Sequence, residues 1–341
     1  MSEGLTSKFL KQAFQLQEEK HYKQAIEALY KALCIESDNI EILAQISHLY
    51  FLMKNFERAL EYAEKILDID PEHVETLKIV VNINKYNKKY TKALTFAEKL
   101  YKLAPNLENF VTYLEMLTEC KQFNTVLSEL EESKFNYEER KNEKLLLLEG
   151  YARLKTNQIF RAISVFQEII KLYPQNTDAK FYLGVIYYQK HQDSDAEKLF
   201  NSILEEIQCD RTYNYLGLLK LDQNKIADAI NYFQFAIKIE PNNAFYHYNL
   251  GTAYSLNGWL IEAEDSFKKA VSIEPNNIVY NYSLAYLYYE KKDFQRSQET
   301  IDHILLIDPN YVDAIILKSL INAQKGNIID AKNTLQNLSE K

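Results

Sequence analysis

Catalysis needs nucleophiles, acid–base pairs or metal ligands at matched spacing, and this chain offers few. Its six histidines, His21, His48, His73, His191, His247 and His303, form no pair at metal-ligand spacing. Cys34, Cys120 and Cys209 are too few and too scattered for a disulfide framework or a zinc site. Carboxylate pairs such as Glu131–Glu132 and Glu205–Glu206 are plentiful, but adjacent residues on a helix point in different directions, so these pairs read as a solvated face. No G-x-x-x-x-G-K-[ST], G-x-G-x-x-G or G-x-S-x-G segment occurs. The expectation is a chain that is not an enzyme and takes no cofactor and no metal. Two other features remain: 26 tyrosines, and one basic stretch. Residues 74–107 carry Lys78, Lys85, Lys88, Lys89, Lys92, Lys99 and Lys102 against Glu75 and Glu98, seven minus two, or +5. Such a patch can steer an acidic partner.

The elements that would position these side chains are marked by a period. KIEPNN at 238–243 returns as SIEPNN at 272–277 and as LIDPNY at 306–311, a step of 34 residues each time. DIDPEH at 68–73, KLAPNL at 102–107 and KLYPQN at 171–176 continue the series upstream, and these six fragments hold all six prolines. A residue type confined to one phase of a 34-residue period marks a repeat architecture. The 341 residues are 47% hydrophobic with only seven glycines, which fits helices joined by short turns. A formal charge of −8 argues against a nucleic-acid partner, because phosphate contacts need a basic surface. No apolar run approaches the roughly 20 residues that span a bilayer, so direct membrane insertion is not expected. The opening MSEGLTSKFLKQAFQ lacks the apolar core of a secretory signal, and the expected location is cytoplasmic.

One unit, AFYHYNLGTAYSLNGWLIEAEDSFKKAVSIEPNN from Ala244, contains two amphipathic stretches of about 14 residues. Counting Ala244 as position 1, Leu250, Gly251 and Tyr254 fall at 7, 8 and 11, Ala263, Phe267 and Ala270 at 20, 24 and 27, and Pro275 at 32. This pattern resembles the tetratricopeptide repeat. Ten such units begin at 6, 40, 74, 108, 143, 177, 210, 244, 278 and 312. The resemblance implies an all-α fold, a right-handed superhelical solenoid of antiparallel helix pairs forming one array over residues 1–341. The unit at 108–142 departs most from the pattern; it reads as a diverged repeat, with a looser joint at 128–142 as the alternative. Position 8 is small in eight units, for example Ala13, Ser47, Gly251 and Ala285, and position 20 is alanine in eight. Both are expected where the two helices of a hairpin cross closely. Gly258, Gly326, Asn157 and Asn224 share position 15, where the first helix must stop. The asparagines behind the prolines are expected to cap the next helix. In the last unit, Ile329, Leu335 and Leu338 are expected to face inward.

In this family the first helix of each pair lines the concave face. Positions 2, 5, 9 and 12 share one side of that helix. In the later repeats they include Phe181, Tyr188, Asn214, Phe245, Tyr248, Thr252, Tyr282, Tyr286 and Tyr289. Asn249 lies at position 6, the place of an asparagine ladder in the repeat arm of O-linked N-acetylglucosamine transferases. An aromatic row there suits an extended or helical segment of another protein, with Asn214 and Asn249 bonding its backbone. The resemblance also raises a chaperone cofactor that clamps a terminal carboxylate. Lys78, Asn82 and Lys144 match three of five clamp positions, Lys85 lies close by in the basic stretch, and Met116 and Leu148 stand where the other two should be. A third expectation is a regulatory or targeting arm of a larger enzyme such as a glycosyltransferase. The leading expectation is a non-enzymatic scaffold or adaptor for proteins.

Overall fold

A computed structural model describes residues 2–329 and 331–332. The chain divides into two compact units, residues 1–174 and 175–341. The first unit pairs α1 (Ser2–Glu18) with α2 (Tyr22–Leu33), α3 (Ile40–Leu52) with α4 (Phe56–Ile69), and α5 (Val74–Tyr86) with α6 (Tyr90–Leu103). It continues with α7 (Leu107–Glu119) and α8 (Phe123–Glu132), a short α9 (Tyr137–Arg140), and the pair α10 (Glu143–Lys155) and α11 (Ile159–Leu172). The second unit pairs α12 (Thr177–Gln189) with α13 (Asp193–Leu204), α14 (Asp210–Asp222) with α15 (Ile226–Ile239), α16 (Ala244–Leu256) with α17 (Leu260–Ile273), and α18 (Ile278–Glu290) with α19 (Phe294–Ile307). Next comes α20 (Val312–Gln324). The described residues contain no strand.

Helix boundaries follow from side chains that satisfy the free amides of a first turn. Asn39, Asn106, Asn176, Asn243 and Asn277 each accept from backbone amides at the start of a first helix. Four of them follow the repeating proline closely, as the sequence led us to expect. At the other end of each first helix the chain turns through a left-handed residue: Gly258 (φ 77°) and Gly326 (φ 89°), Asn157 and Asn224, but also Lys20, Lys54, Lys88, Lys121, His191 and Lys292. That last group was not anticipated. A side chain other than Gly, Asn or Asp tolerates this region only at a cost of about 1 kcal/mol.

The crossing of the two helices explains the small residues. A Cβ built on Gly251 would lie 2.7 Å from the Phe267 ring, and Gly150, Gly184 and Gly217 face Phe166, Phe200 and Phe233 in the same way. Position 8 therefore has no side chain where position 24 carries a phenylalanine. Where position 8 is larger, position 24 is smaller: Ala13 with Leu29, Ser47 with Ala63, Val81 with Ala97. Serine at either crossing position closes a bond to the opposite helix. Ser47 Oγ donates to Ala59 O, Ser297 Oγ to Ala285 O and Ser319 Oγ to Ala331 O, each at 2.8 Å.

Burial is distributed over a series of clusters, each shared by adjacent hairpins. Ionic and hydroxyl ties join neighbouring hairpins in the second unit, Lys220 to Glu197 at 2.5 Å and Tyr246 Oη donating to Asp210 at 2.7 Å, while Lys180 pairs with Glu206 at 2.6 Å within one hairpin. Residues 133–142 link α8 to α10, with hydrogen bonds inside the link and one ring packed on the neighbouring core. The Arg140 guanidinium donates to Ser133 O at 2.8 Å and to Phe135 O at 3.2 Å, and the Phe135 ring lies 5.1 Å from Phe110. Near the end of the described chain, Ile329 is 77% exposed rather than inward, with α20 already covered on that side by Ala331 at the crossing. Leu335 and Leu338 lie outside the described residues.

Candidate partner-binding surfaces

In the second unit the first helices α16, α18 and α20 present a common face built from positions 2, 5, 9 and 12. On α18, Tyr282, Tyr286 and Tyr289 form a ladder, with centroids 6.4 Å and 6.3 Å apart. Tyr311 extends it at one end, 5.9 Å from Tyr282, and Phe294 at the other, 5.9 Å from Tyr289. Tyr286 is the exposed rung at 44%, while Tyr282 and Tyr289 are half-buried at its sides. Burial pushes the Tyr282 hydroxyl above the ordinary tyrosine value, and the Asp313 carboxylate adds to the effect. It therefore stays a neutral donor at physiological pH.

The neighbouring helices extend this face. Phe245 on α16 is 42% exposed, with its ring 6.4 Å from Tyr248. Tyr248 itself leans inward on Tyr280 at 5.1 Å and Phe267 at 6.0 Å. The Thr252 hydroxyl donates to Tyr248 O at 3.0 Å, within its own helix. On α20, Ile316 at position 5 and Leu320 at position 9 are exposed apolar residues that the sequence reading did not select. Their signal was present, since they repeat the register of Tyr282 and Tyr286.

Four of the selected residues are taken up by packing between hairpins. Phe181 belongs to the core with Phe200 and Leu216, and the Arg211 guanidinium lies over its ring at 4.5 Å. Asn214 and Asn249 are buried and bond to each other, Asn249 Nδ2 donating to Asn214 Oδ1 at 2.8 Å. Tyr188 is half-buried against Tyr215, edge to face at 5.8 Å. Position 5 thus points toward the neighbouring hairpin at Phe181, Asn214 and Tyr248, but outward at Ile316 on α20, while Phe245 and Val279 at position 2 and Tyr286 and Leu320 at position 9 are exposed.

The first unit has its own recess on the corresponding face. A cavity of about 800 Å³ is bounded by Phe14 on α1, Ile40, His48 and Phe51 on α3, and Ile79 and Asn82 on α5. Phe14, His48 and Phe51 occupy positions 9, 9 and 12 of the first two repeats and were not singled out from sequence. Lys78 also borders this cavity, with its ammonium 3.0 Å from Glu75. Lys85 and Lys144 do not border it. Lys85 is engaged with Glu115 at 2.5 Å, and Lys144 is exposed on α10. Met116 is fully buried and Leu148 packs against the same core.

Among the described residues no group of three or more His, Cys, Asp or Glu could hold a metal ion. No helix among them is long and apolar enough to cross a membrane.

Models of the tetratricopeptide repeat match residues 16–78 and 153–216, and a TPR repeat model matches 217–258. Two further tetratricopeptide repeat models match 244–277 and 278–311, the same bounds that the proline phase sets for two of the units. No curated protein sequence matches the chain. Among solved structures, the APC/C hetero-tetramer Cut9–Hcn1 is similar with a TM-score of 0.55 at 14% identity, over 98% of this chain and 74% of that one. Pseudomonas aeruginosa PilF is similar with a TM-score of 0.51 at 15% identity, over 57% of this chain and 88% of that one. These likenesses concern the fold.

Proposed function

Because the chain belongs to the tetratricopeptide repeat family, we propose that it is a protein-interaction scaffold holding a segment of a partner on the first-helix face of its second unit. The observation that carries this reading is the apolar row left uncovered there: Phe245 at 42%, Val279 at 49%, Tyr286 at 44%, Ile316 at 38% and Leu320 at 43% exposed. Side chains at these outward positions add nothing to the helix crossing, and large contiguous apolar surface on a protein marks a place where something binds. The tyrosine ladder suits an extended or helical segment, since aromatic rings bring wide contact area at low conformational cost. The half-buried Tyr282 and Tyr289 hold Tyr286 between them, so little side-chain freedom is lost when a partner covers it.

The test compares partners captured from a native lysate by wild type, by a Tyr286→Ala/Leu320→Ala variant and by a Lys78→Ala/Lys144→Ala variant. Tyr286, Leu320 and Lys144 are exposed and Lys78 is half-buried, and both variants are matched to wild type in thermal stability before capture. Loss of a central aromatic costs about 2 kcal/mol of binding, roughly a 30-fold weakening. The proposal expects partners to be lost from the first variant and kept by the second. Retention by the tyrosine–leucine variant with loss from the lysine variant would move the site to the first unit and favour a clamp on a terminal carboxylate.

A further inference from the structure

The left-handed turn residues differ between the two units in a way that backbone geometry does not explain. In the first unit they are Lys20 (φ 60°), Lys54 (58°), Lys88 (56°), Lys121 (59°) and Asn157 (60°). In the second they are His191, Asn224, Gly258, Lys292 and Gly326. Glycine and asparagine adopt this conformation more readily than lysine does. Lysine in four consecutive hairpins therefore indicates a use for the side chain at a position where the backbone favours another residue.

These turns lie on one edge of the unit. Successive hairpins pack in chain order, α2 on α3, α4 on α5 and α6 on α7, so equivalent turns line up and present one ammonium per layer. Lys23, Lys89 and Lys92 are also exposed close to these turns. A recess of about 560 Å³ opens between the third and fourth turns, lined by Lys88, Lys89 and Lys92 with Tyr90 and Gln122, and bordered by Glu119. Lys65, Lys78, Lys85 and Lys102 are held by carboxylates. By contrast, none of Lys20, Lys54, Lys88, Lys89, Lys92 and Lys121 makes an ion pair among the described residues. Glu18, Glu19, Glu57 and Glu119 are the acids closest to these turns in sequence, against seven lysines, on a chain whose net charge is −8.

We propose that this turn edge of the first four hairpins is a second docking surface, separate from the first-helix face, and that it takes an acidic, extended segment of a partner protein. The spacing favours a peptide. Packed helices lie about 8–10 Å apart, and an extended chain advances about 3.3 Å per residue. One carboxylate at every third residue would therefore meet one lysine per layer. A duplex carries a charge every 1.7 Å or so of its axis, far denser than this row can match, and the negative net charge of the chain opposes a polyanion of that density.

The test uses the full chain and a fluorescein-labelled twelve-residue peptide with glutamate at every third position and glycine or serine between, followed by anisotropy at low salt. Wild type is expected to bind it, with affinity falling as salt rises. Lys54→Asn/Lys88→Asn/Lys121→Asn removes three charges, and asparagine already occupies the equivalent turn at Asn157 and Asn224, so the fold is kept. That variant is expected to bind about tenfold more weakly, while Lys292→Asn in the second unit leaves binding unchanged. Absence of binding by wild type, or equal binding by the triple variant, would overturn the proposal. So would lysine-dependent binding of a thymidine dodecamer or of vesicles rich in phosphatidylserine in preference to the peptide, because the partner class would then be wrong.

Discussion

Gly251→Ala is the most incisive single change, because two opposing terms of known sign meet at one atom. In a free helix, alanine in place of glycine stabilises by about 1 kcal/mol. In this hairpin the new Cβ would stand 2.7 Å from Phe267 Cδ1, far inside van der Waals contact, and Phe267 is 3% exposed in a core that leaves its ring no easy retreat. Overpacking of this kind costs about 1–3 kcal/mol. The net expectation is destabilisation of about 1 kcal/mol in the native background. Phe267→Leu alone should cost about 1 kcal/mol through the volume it removes. Combined with that change, Gly251→Ala should become stabilising, because alanine facing leucine is the pairing already present at Ala13 and Leu29. The predicted sign reversal is a coupling of about 2 kcal/mol between the two sites, well above the additivity expected of independent positions. Urea denaturation of the four members of the cycle measures it. Hydrogen exchange over residues 244–277 tests whether the change is local, since coupling in a solenoid runs mainly between neighbours. If Gly251→Ala shifts stability by the same amount in both backgrounds, the helix crossing does not select glycine.

Other consequences are open to simple measurement. Glu264 is nearly buried; desolvation would raise its pKa, but the Lys268 ammonium at 2.6 Å and that of Lys291 overcome this and hold it down to about 2, with Arg296 also 2.8 Å away. Its folded pKa is thus below the unfolded value, and its contribution, on the order of 1–2 kcal/mol, is present above about pH 5 and lost as pH falls toward 2. Glu264→Gln should lower stability at pH 7 and flatten the acid limb of the stability–pH curve; an unchanged limb would show that another group controls it. Lys54→Gly, at φ 58°, should raise stability by about 0.5–1 kcal/mol, read from the denaturation midpoint, and a loss of stability would argue against strain at that turn. Tyr282→Phe removes a half-buried hydroxyl but keeps the ring ladder, so capture of partners should survive it while Tyr286→Ala weakens capture roughly 30-fold.

The fold was legible because its signals are positional. Pro241, Pro275 and Pro309 hold one phase, Asn243 and Asn277 after the first two cap the next helices, and glycine at 251 sits opposite phenylalanine at 267. The lysine turns were not legible, since lysine carries no preference for left-handed backbone and only the array imposes it at Lys20, Lys54 and Lys88. Lys121 is one residue out of register with them, which further hides the series. The candidate surface was legible as a face but not in its depth. Periodicity places positions 2, 5, 9 and 12 on one side of a helix, yet it does not reveal that on α12 and α14 position 5 turns toward the next hairpin. Phe181 and Asn214 therefore pack inside while Tyr286, four residues after Tyr282, stands out. Ile316 and Leu320 hold the same register, but in sequence an aliphatic side chain on an outer face cannot be told from one on the core face.

The central claim concerns which face meets a partner, and a photocrosslink reads that directly. A benzoylphenylalanine introduced at position 286, on the first-helix face, is compared in a native lysate with one at position 306, where Leu306 is 82% exposed on a second helix. The account predicts a discrete partner crosslinked from 286, mapped by mass spectrometry to one segment of that protein and diminished by Leu320→Ala, with no such product from 306. A discrete partner from 306 with none from 286 would contradict it.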